Sequence, residues 1–158
     1  MRAIFGALLV TVLGALLLRA EPAPAPPFII VISTDTPTVK TGSVVSVKVQ
    51  LKNTSTRDLD ASANISSLTG VDPNYIYEVR DNNGDLVAKK VYEHPEFATG
   101  HAILRIVKPG ETITDEQPIG RLFDMGKPGK YTIRVSRHVA GEKSNVVESY
   151  KISVNVTR

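Results

Sequence analysis

Alternation of apolar and polar side chains is the feature that most restricts how this chain can fold. Within Val44–Lys52, apolar side chains occupy every second position, at Val45, Val47, Val49 and Leu51. A period of two places this apolar set on one face of a half-buried β-strand and the polar set on the other. From Phe28 onward, no stretch of useful length has the 3.6-residue period of an amphipathic helix. The sequence therefore predicts an all-β chain.

Short runs rich in β-branched and aromatic residues recur along the chain, with turn residues between them, and each run predicts a strand. Besides Val44–Lys52 they are Phe28–Thr34, Leu59–Ser66, Tyr75–Arg80, Leu86–Val91, Ala102–Val107, Glu111–Thr114, Tyr131–His138 and Val146–Val156. In the last run we expect Tyr150, Ile152, Val154 and Val156 to point inward. Eight or nine strands without crossover helices predict an antiparallel immunoglobulin-like β-sandwich, with a small closed barrel as the alternative.

Two local signals refine the predicted sandwich. Asn83-Gly84 lies between two predicted strands and suits a type I′ hairpin turn, in which both central residues have positive φ. Tyr131 follows the Gly/Pro-containing corner Asp124–Lys130 and begins a strong strand. This is the position of a tyrosine corner, whose hydroxyl bonds back to the backbone of the preceding connection.

The first 20 residues have the pattern of a secretory signal peptide. Arg2 supplies a positive start, 16 uncharged residues follow, and Ala20 is a small residue at the expected cleavage position. An apolar run of this length falls short of the roughly 20 residues that span a bilayer, which favours cleavage over an uncleaved anchor. Residues 21–27 (EPAPAPP) form a Pro/Ala-rich spacer, and residues 28–158 form the sandwich domain. The mature domain is therefore expected to be secreted or periplasmic, with no stable membrane span.

Composition excludes several kinds of function. The chain has no cysteine, so it forms no disulfide, thiolate nucleophile or zinc–thiolate site. Its net charge of +3 includes Arg2 and Arg19 of the leader, which leaves 17 basic and 16 acidic residues, or +1, in the mature chain. Proteins that bind nucleic acid typically carry a basic excess. We therefore expect no nucleic-acid partner, and we expect the mature domain to be a monomer.

Four short patterns occur in order along two-thirds of the mature chain, from about Val44 to Val135. They consist of Asn53 and Ser55, then Val79, Asp81, Gly84 and Val87, then Pro109, Gly110 and Glu111, then Gly129, Tyr131 and Thr132. In this order they resemble bacterial secreted immunoglobulin-like domains, and they are similar to the intracellular proteinase inhibitor (BsuPI-like) family. The chain departs from that family at Asn74–Glu78, where the family has Gln-x-Tyr-Asp, and at Lys89 or Lys90, where it has Trp. The resemblance implies the fold and, less directly, proteinase inhibition.

No catalytic or metal-binding motif is present, and we expect no cofactor. His94 and His101, with Glu93 and Glu96, are residue types that bind divalent metals, but their spacing fits no metal-binding pattern and indicates a polar surface loop. The acidic residues within Glu111–Asp124 likewise indicate a solvated loop. Basic residues on the last two predicted strands are more typical of an exposed charged sheet face than of a binding patch. They are Arg134, Arg137, His138, Lys143 and Lys151.

The best candidate for contact with a partner is the long connection Tyr92–Gly100 (YEHPEFATG). Within it, Pro95 restricts the backbone, His94 is polar, and Phe97 is an apolar side chain without a periodic strand role. The sequence favours an exported, non-enzymatic binding module that contacts a protein or a cell-envelope polymer. A proteinase inhibitor is the alternative, and an exported hydrolase with an unrecognised site is a third.

Processing of the leader gives the first testable prediction. When the chain is expressed in a secreting host, N-terminal sequencing of the exported protein should begin at Glu21, because signal peptidase cleaves after a small residue such as Ala20. Recovery of only the full-length chain, in the membrane fraction, would instead establish an uncleaved anchor.

Overall fold

A three-stranded and a five-stranded β-sheet contribute side chains to one apolar core in the described part of the chain. The computed structural model describes residues 25–95, 98–139 and 142–158, and it describes residues 142–145 by their backbone alone. This part of the chain is mostly β, and its one helix is the single-turn α1 (Ile119–Leu122). Its strands are β1 (Phe28–Ser33), β2 (Thr38–Lys40), β3 (Val47–Asn53), β4 (Leu59–Asp60), β5 (Ala63–Ser66), β6 (Tyr75–Arg80), β7 (Gly100–Ile103), β8 (Ile106–Val107), β9 (Thr112–Gln117), β10 (Gly129–Val139), β11 (Glu142–Glu148) and β12 (Ile152–Thr157).

The smaller of the two sheets is built around β3. β1 pairs antiparallel with one edge of β3, from Phe28 opposite Asn53 to Ser33 opposite Lys48, and β9 pairs antiparallel with the other edge. The alternation along β3 has the predicted effect, since Val47, Val49 and Leu51 are fully buried. The outward positions of β3 are polar and partly or wholly exposed.

The larger sheet is built around β10. β6 pairs antiparallel with one edge of β10, and β11 and β12 follow one another along the opposite edge. β2, which the sequence did not predict as a strand, lies at the edge of this sheet and pairs parallel with β12. Side chains from both sheets share one core, which includes Phe28 and Ile30 of the smaller sheet and Val79, Ile133 and Val154 of the larger.

A β-bulge separates β11 from β12. Between the pairs Ser136–Glu148 and Ile133–Ile152, two residues of β10 face the three residues 149–151 on the other strand. The extra residue shifts the alternation, as bulges do. Val147, before the bulge, and Ser149, its first residue, are buried, whereas Tyr150 is 91% exposed. The expectation that Tyr150 points inward was therefore wrong.

The start of β10 has the local geometry expected of a tyrosine corner. The Tyr131 hydroxyl donates a 2.7 Å hydrogen bond to the backbone carbonyl of Lys127, four residues earlier. The ring is buried in the core, with 4% of the residue exposed. This bond ties the connection that precedes β10 to the strand itself.

The hairpin after β6 differs from the predicted type I′ turn. Gly84 has a positive φ of 87°, but no non-glycine residue in the described ranges does, so Asn83 does not. The Asp81 carboxylate accepts the N–H groups of Asn83 and Asp85, and the Gly84 N–H donates to the Asp81 carbonyl. These bonds favour a three-residue loop that ends in a left-handed glycine.

Other predicted strands are shorter than expected or interrupted. Leu86–Val91 forms only isolated bridges, Arg80 to Leu86 and Lys89 to Phe123. The predicted strand Leu59–Ser66 is divided into β4 and β5, and Ala102–Val107 into β7 and β8. These interruptions raise the number of strands above the predicted eight or nine. No helix in the described part of the chain is long and apolar enough to cross a membrane.

The left-handed glycine gives the second prediction. A Cβ at position 84 would meet no other atom within 4 Å, so only the positive φ opposes a side chain there. Gly84→Val should lower the free energy of unfolding by about 1–2 kcal/mol, the cost of a bulky residue in the left-handed region. Gly84→Asn should cost much less, because Asn tolerates that region. Urea unfolding of both variants checks this, and equal losses would contradict the turn geometry.

Candidate functional site

A two-stranded ribbon lies outside the two main sheets. β4 and β5 run antiparallel to β8 and β7 in one continuous register, from Leu59 opposite Val107 to Ser66 opposite Gly100. The interruption between the paired halves is bridged by the Ala61 N–H, which donates to the Arg105 carbonyl at 2.9 Å. Residues 100–107 therefore behave as one extended strand of the ribbon.

The two faces of this strand are the reverse of those that its sequence predicts, because the apolar side chains lie on the exposed face. One alternating set is wholly apolar, Ala102, Leu104 and Ile106, so a simple pattern rule places it inside. In the structure this set faces solvent, with Leu104 90% exposed and Ile106 58% exposed. Arg105 lies on the inward face, next to the fully buried Val107. We call Leu104 and Ile106 the apolar stripe.

An ion pair beneath the ribbon accounts for this inversion. One terminal nitrogen of Arg105, Nη1, lies 2.7 Å and 2.8 Å from the two carboxylate oxygens of Asp115 on β9. The two side chains are only 25% and 19% exposed. Turning Arg105 outward would leave Asp115 partly buried without its partner, which is costly. The pair therefore favours the register that exposes the apolar stripe.

Two side-chain amides, the buried Asn53 and the exposed Asn74, attach the ribbon to the body of the protein. The Asn53 side-chain amide donates to the carbonyls of Val107 and Arg57 at 2.8 Å and 2.7 Å, and its carbonyl oxygen accepts from Ser55. Asn74 donates to the Ser62 carbonyl at 3.0 Å. Asn53 and Ser55 are two of the residues in the family pattern, and here they hold a loop against the ribbon.

A buried polar cluster lies between the sheets, around the inward side chains of β6. The Tyr77 hydroxyl is 3.0 Å from the Gln117 side-chain oxygen and 3.2 Å from the Asp72 carbonyl. The Asp72 N–H donates to the same Gln117 oxygen at 2.9 Å. The Arg137 guanidinium lies 5.2 Å from the centre of the Tyr75 ring, within cation–π range. The Tyr75 hydroxyl has no hydrogen-bond partner among the described residues.

Burial governs the protonation of the two phenols in this cluster. It raises the pKa of Tyr75 to about 12 and also raises the pKa of Tyr77. Both side chains are therefore neutral at physiological pH, and the Tyr77 hydroxyl serves as a hydrogen-bond donor, not as a base. The cluster is suited to holding loop 72–74 and β9 against β6.

Two residues of the predicted basic sheet face, Arg134 and Arg137, are neutralised or turned inward, whereas Lys151 is exposed as expected. Arg134 contacts Glu78 at 2.9 Å and Glu148 at 2.7 Å, and Arg80 contacts Glu78 at 2.8 Å. Hydrogen bonds from Arg80 and then Arg134 lower the pKa of Glu78. Arg137 was grouped with this face, but it points inward. His138 is exposed as expected, and the Lys143 side chain lies outside the described part of the chain.

The predicted partner-contact loop leads directly into β7. His94 and Pro95 are exposed, and Phe97 lies outside the described residues. At the start of the loop, the Tyr92 hydroxyl donates to the Arg121 carbonyl. Near its end, Thr99 exchanges hydrogen bonds with Ser67. In the described ranges, no group of three or more His, Asp or Glu residues is arranged to hold a metal ion.

Comparison with known proteins gives no close relative. No protein-family model matches the sequence, and no curated protein matches it. Among solved structures, the alkylpurine DNA glycosylase AlkC of Pseudomonas fluorescens, bound to DNA that contains an abasic-site analogue, is 11% identical, with a TM-score of 0.43 over 84% of this chain and 31% of that one. A β-glucosidase of Listeria innocua in complex with glucose is 15% identical, with a TM-score of 0.40 over 82% of this chain and 16% of that one. This chain thus spans less than a third of either protein.

The two buried tyrosines give a matched prediction. Tyr75→Phe removes a hydroxyl that has no partner in the described structure, so the free energy of unfolding should stay unchanged or rise. Tyr77→Phe removes a hydroxyl that contacts Gln117 and Asp72, and it should cost about 1–3 kcal/mol. Denaturant unfolding at neutral pH measures both. Equal losses for the two variants would contradict this arrangement of the cluster.

Proposed function

We propose that this protein is an exported, non-enzymatic immunoglobulin-like module that binds another protein. A cell-envelope polymer is the less favoured partner. The observation that carries the proposal is the apolar stripe, Leu104 and Ile106, which the ribbon exposes although a burial-driven pattern would place it inside.

Strand pairing supports the immunoglobulin-like part of the proposal. That fold pairs strands A, B and E in one sheet and C, F and G in the other. Here β1, β3 and β9 would take the places of A, B and E, and β6, β10 and β11–β12 those of C, F and G. Tyr131, at the start of the F-like strand, bonds to Lys127 in the manner of a tyrosine corner.

Energetics support a role of the stripe in binding. Burying a leucine or isoleucine side chain contributes about 1.5–3 kcal/mol of stabilisation. Because Leu104 and Ile106 remain exposed after folding, most of this stabilisation at Leu104, and much of it at Ile106, is still available to a binding partner. The core of a protein–protein interface is a dry apolar patch within a polar rim. The neighbouring strand provides polar residues for such a rim, since Asp60 pairs with Ile106 and Asn64 with Ala102. Because both stripe residues are aliphatic, a protein is the better complement.

The loop that precedes β7 extends the proposed surface. His94 and Pro95 are exposed, and the loop ends at Gly100, where the strand that carries the stripe begins. Its ends are held by Tyr92–Arg121 and Ser67–Thr99 contacts, which limit the entropy lost on binding. Loop and stripe together form the proposed contact surface.

A variant pair tests the proposal. Leu104→Ser combined with Ile106→Ser should abolish capture of a specific envelope protein by the immobilised mature domain, because it removes the apolar centre of the interface. Leu86→Ser is the matched control, since Leu86 is 66% exposed and belongs to none of the ribbon strands. Quantitative mass spectrometry of the retained proteins measures the effect. Both variants should unfold within about 0.5 kcal/mol of the wild type, as surface substitutions do.

The same experiment can contradict the proposal. A set of retained proteins that is unchanged by the stripe substitutions, or equally reduced by Leu86→Ser, would remove the stripe from the binding function.

A proteinase inhibitor of the BsuPI-like type is the second candidate, favoured by the tethered loop and its exposed Pro95. Substrate-like inhibitors present a rigid loop and bind with little backbone change. We expect no inhibition when the mature protein is titrated against a serine protease and a metalloprotease, since Asn74–Glu78 and Lys89 or Lys90 depart from the family pattern. Dose-dependent inhibition that Phe97→Ala abolishes would make the inhibitor the better account.

A further inference from the structure

We infer that the cleft beside the open half of β6 binds an extended peptide that carries an acidic residue next to an aliphatic one. The inference rests on the proposed function in that the partner is a protein. It uses a surface separate from the apolar stripe, so the two can be tested independently.

The main chain of Tyr77 points toward this cleft. β6 pairs with β10 along one edge from Tyr75 to Arg80. On its other edge the Val79 carbonyl accepts the Val87 N–H at 2.9 Å, and the Asp81 N–H donates to the Asp85 carbonyl at 3.0 Å. In an antiparallel strand, the main-chain groups of alternate residues point to the same edge. The N–H and C=O of Tyr77 therefore point to the edge of β6 that faces away from β10. Val87 pairs with this edge at Val79, two residues farther along, and not at Tyr77.

The chain that pairs with this edge turns away before it reaches Tyr77. After Val87, the Ala88 carbonyl accepts the Asp124 N–H at 3.0 Å, and the Lys90 N–H donates to the Leu122 carbonyl at 2.8 Å. No main-chain partner on that side of Tyr77 is found in the described residues. The gap left between β6 and this segment is a cleft of about 270 Å³.

The shape of the cleft favours a strand over a compact ligand. Its volume is slightly below the roughly 300–1,000 Å³ of pockets for drug-sized molecules. Three consecutive residues, Tyr75, Ile76 and Tyr77, line one wall, as expected where the edge of a strand is accessible. An added strand would gain main-chain hydrogen bonds there, the basis of β-augmentation in other peptide-binding domains.

The polar groups of the lining favour an acidic side chain. Lys89 is its one charged residue among those described, and no carboxylate lines it. The hydroxyl oxygens of Ser66 and Thr69 each accept a backbone N–H, from Leu68 and Val71 respectively, which leaves their O–H protons to donate. The side chains thus present donors and a positive charge, complementary to a carboxylate.

The apolar lining favours an aliphatic neighbour for that acidic residue. Val71 is buried, Leu122 is partly buried against the core, and Ile76 is 45% exposed on the outer face of β6. Successive side chains of an extended peptide point to opposite sides. If an acidic side chain of the peptide reaches Lys89, the side chain of the next residue therefore points to the opposite side, toward the apolar part of the lining.

Selection from a random octapeptide display library on the immobilised mature domain tests the inference. Enriched peptides should pair Asp or Glu with Val, Ile or Leu. Lys89→Glu should weaken a synthesised winner by about tenfold, or 1.4 kcal/mol, at low salt. Lys52→Glu, an exposed lysine on β3, is the matched charge control and should have little effect. In hydrogen exchange followed by NMR, the bound peptide should protect the Tyr77 amide.

The outcomes separate this cleft from the stripe. Selected peptides that bind the Lys89→Glu variant more weakly than the wild type, but bind the Leu104→Ser and Ile106→Ser double variant as tightly, support binding in the cleft. This result holds whether or not the stripe binds a partner. Absence of enrichment, equal binding to Lys89→Glu, or an unprotected Tyr77 amide in the complex would overturn the inference.

Discussion

The ion pair between Arg105 and Asp115 determines how the most unusual part of this structure is arranged. Asp115 lies on the inward side of an edge strand, where a charge discourages pairing with another chain, and Arg105 reaches it from the ribbon. Because side chains alternate along a strand, the only other orientation turns every side chain to the opposite face. That orientation would bury Leu104 and Ile106 and would separate Arg105 from Asp115. The structure retains the pair and exposes the aliphatic side chains. An arrangement that forgoes apolar burial in this way is the kind of local inconsistency that functional sites show.

Tyr77 links this region to the second proposed surface. Its hydroxyl contacts Gln117 and Asp72 in the polar cluster between the sheets, which fixes the position of β6 relative to β9. Its main-chain N–H and C=O lie in the plane of the sheet and point toward the cleft that Lys89 and Leu122 also line. Tyr77 thus contacts the interior through its side-chain hydroxyl and lines the surface cleft with its backbone. The cluster therefore joins β6, which lines the cleft, to β9, which carries the ribbon's partner Asp115. A site whose elements are joined in advance loses less entropy on association.

Much of the framework follows from local patterns, whereas the proposed sites depend on contacts between distant segments. The alternation in β3, the bounds of β6 and the positive φ of Gly84 are encoded by neighbouring residues, and the sequence predicts them. The bulge that turns Tyr150 outward leaves no such trace, because Val146–Val156 reads as one alternating strand. Arg105 could be assigned to the interior only with Asp115 as its known partner, and Arg137 only with the Tyr75 ring as its partner. The hairpin turn was predicted in place but not in type, since the Asp81 carboxylate selects the longer loop.

The orientation of the ribbon strand is the central claim, and the absence of cysteine from the chain allows a direct test. Single-cysteine variants Leu104→Cys and Val107→Cys would be labelled with a thiol reagent under native conditions, each against its own unfolded control. The account predicts that the thiol at position 104 reacts nearly as fast as in the unfolded chain, and that the thiol at 107 reacts only when the protein opens. Adding Asp115→Asn should accelerate labelling at 107, because Arg105 loses its partner. Protection at position 104 together with rapid labelling at 107 would contradict the account.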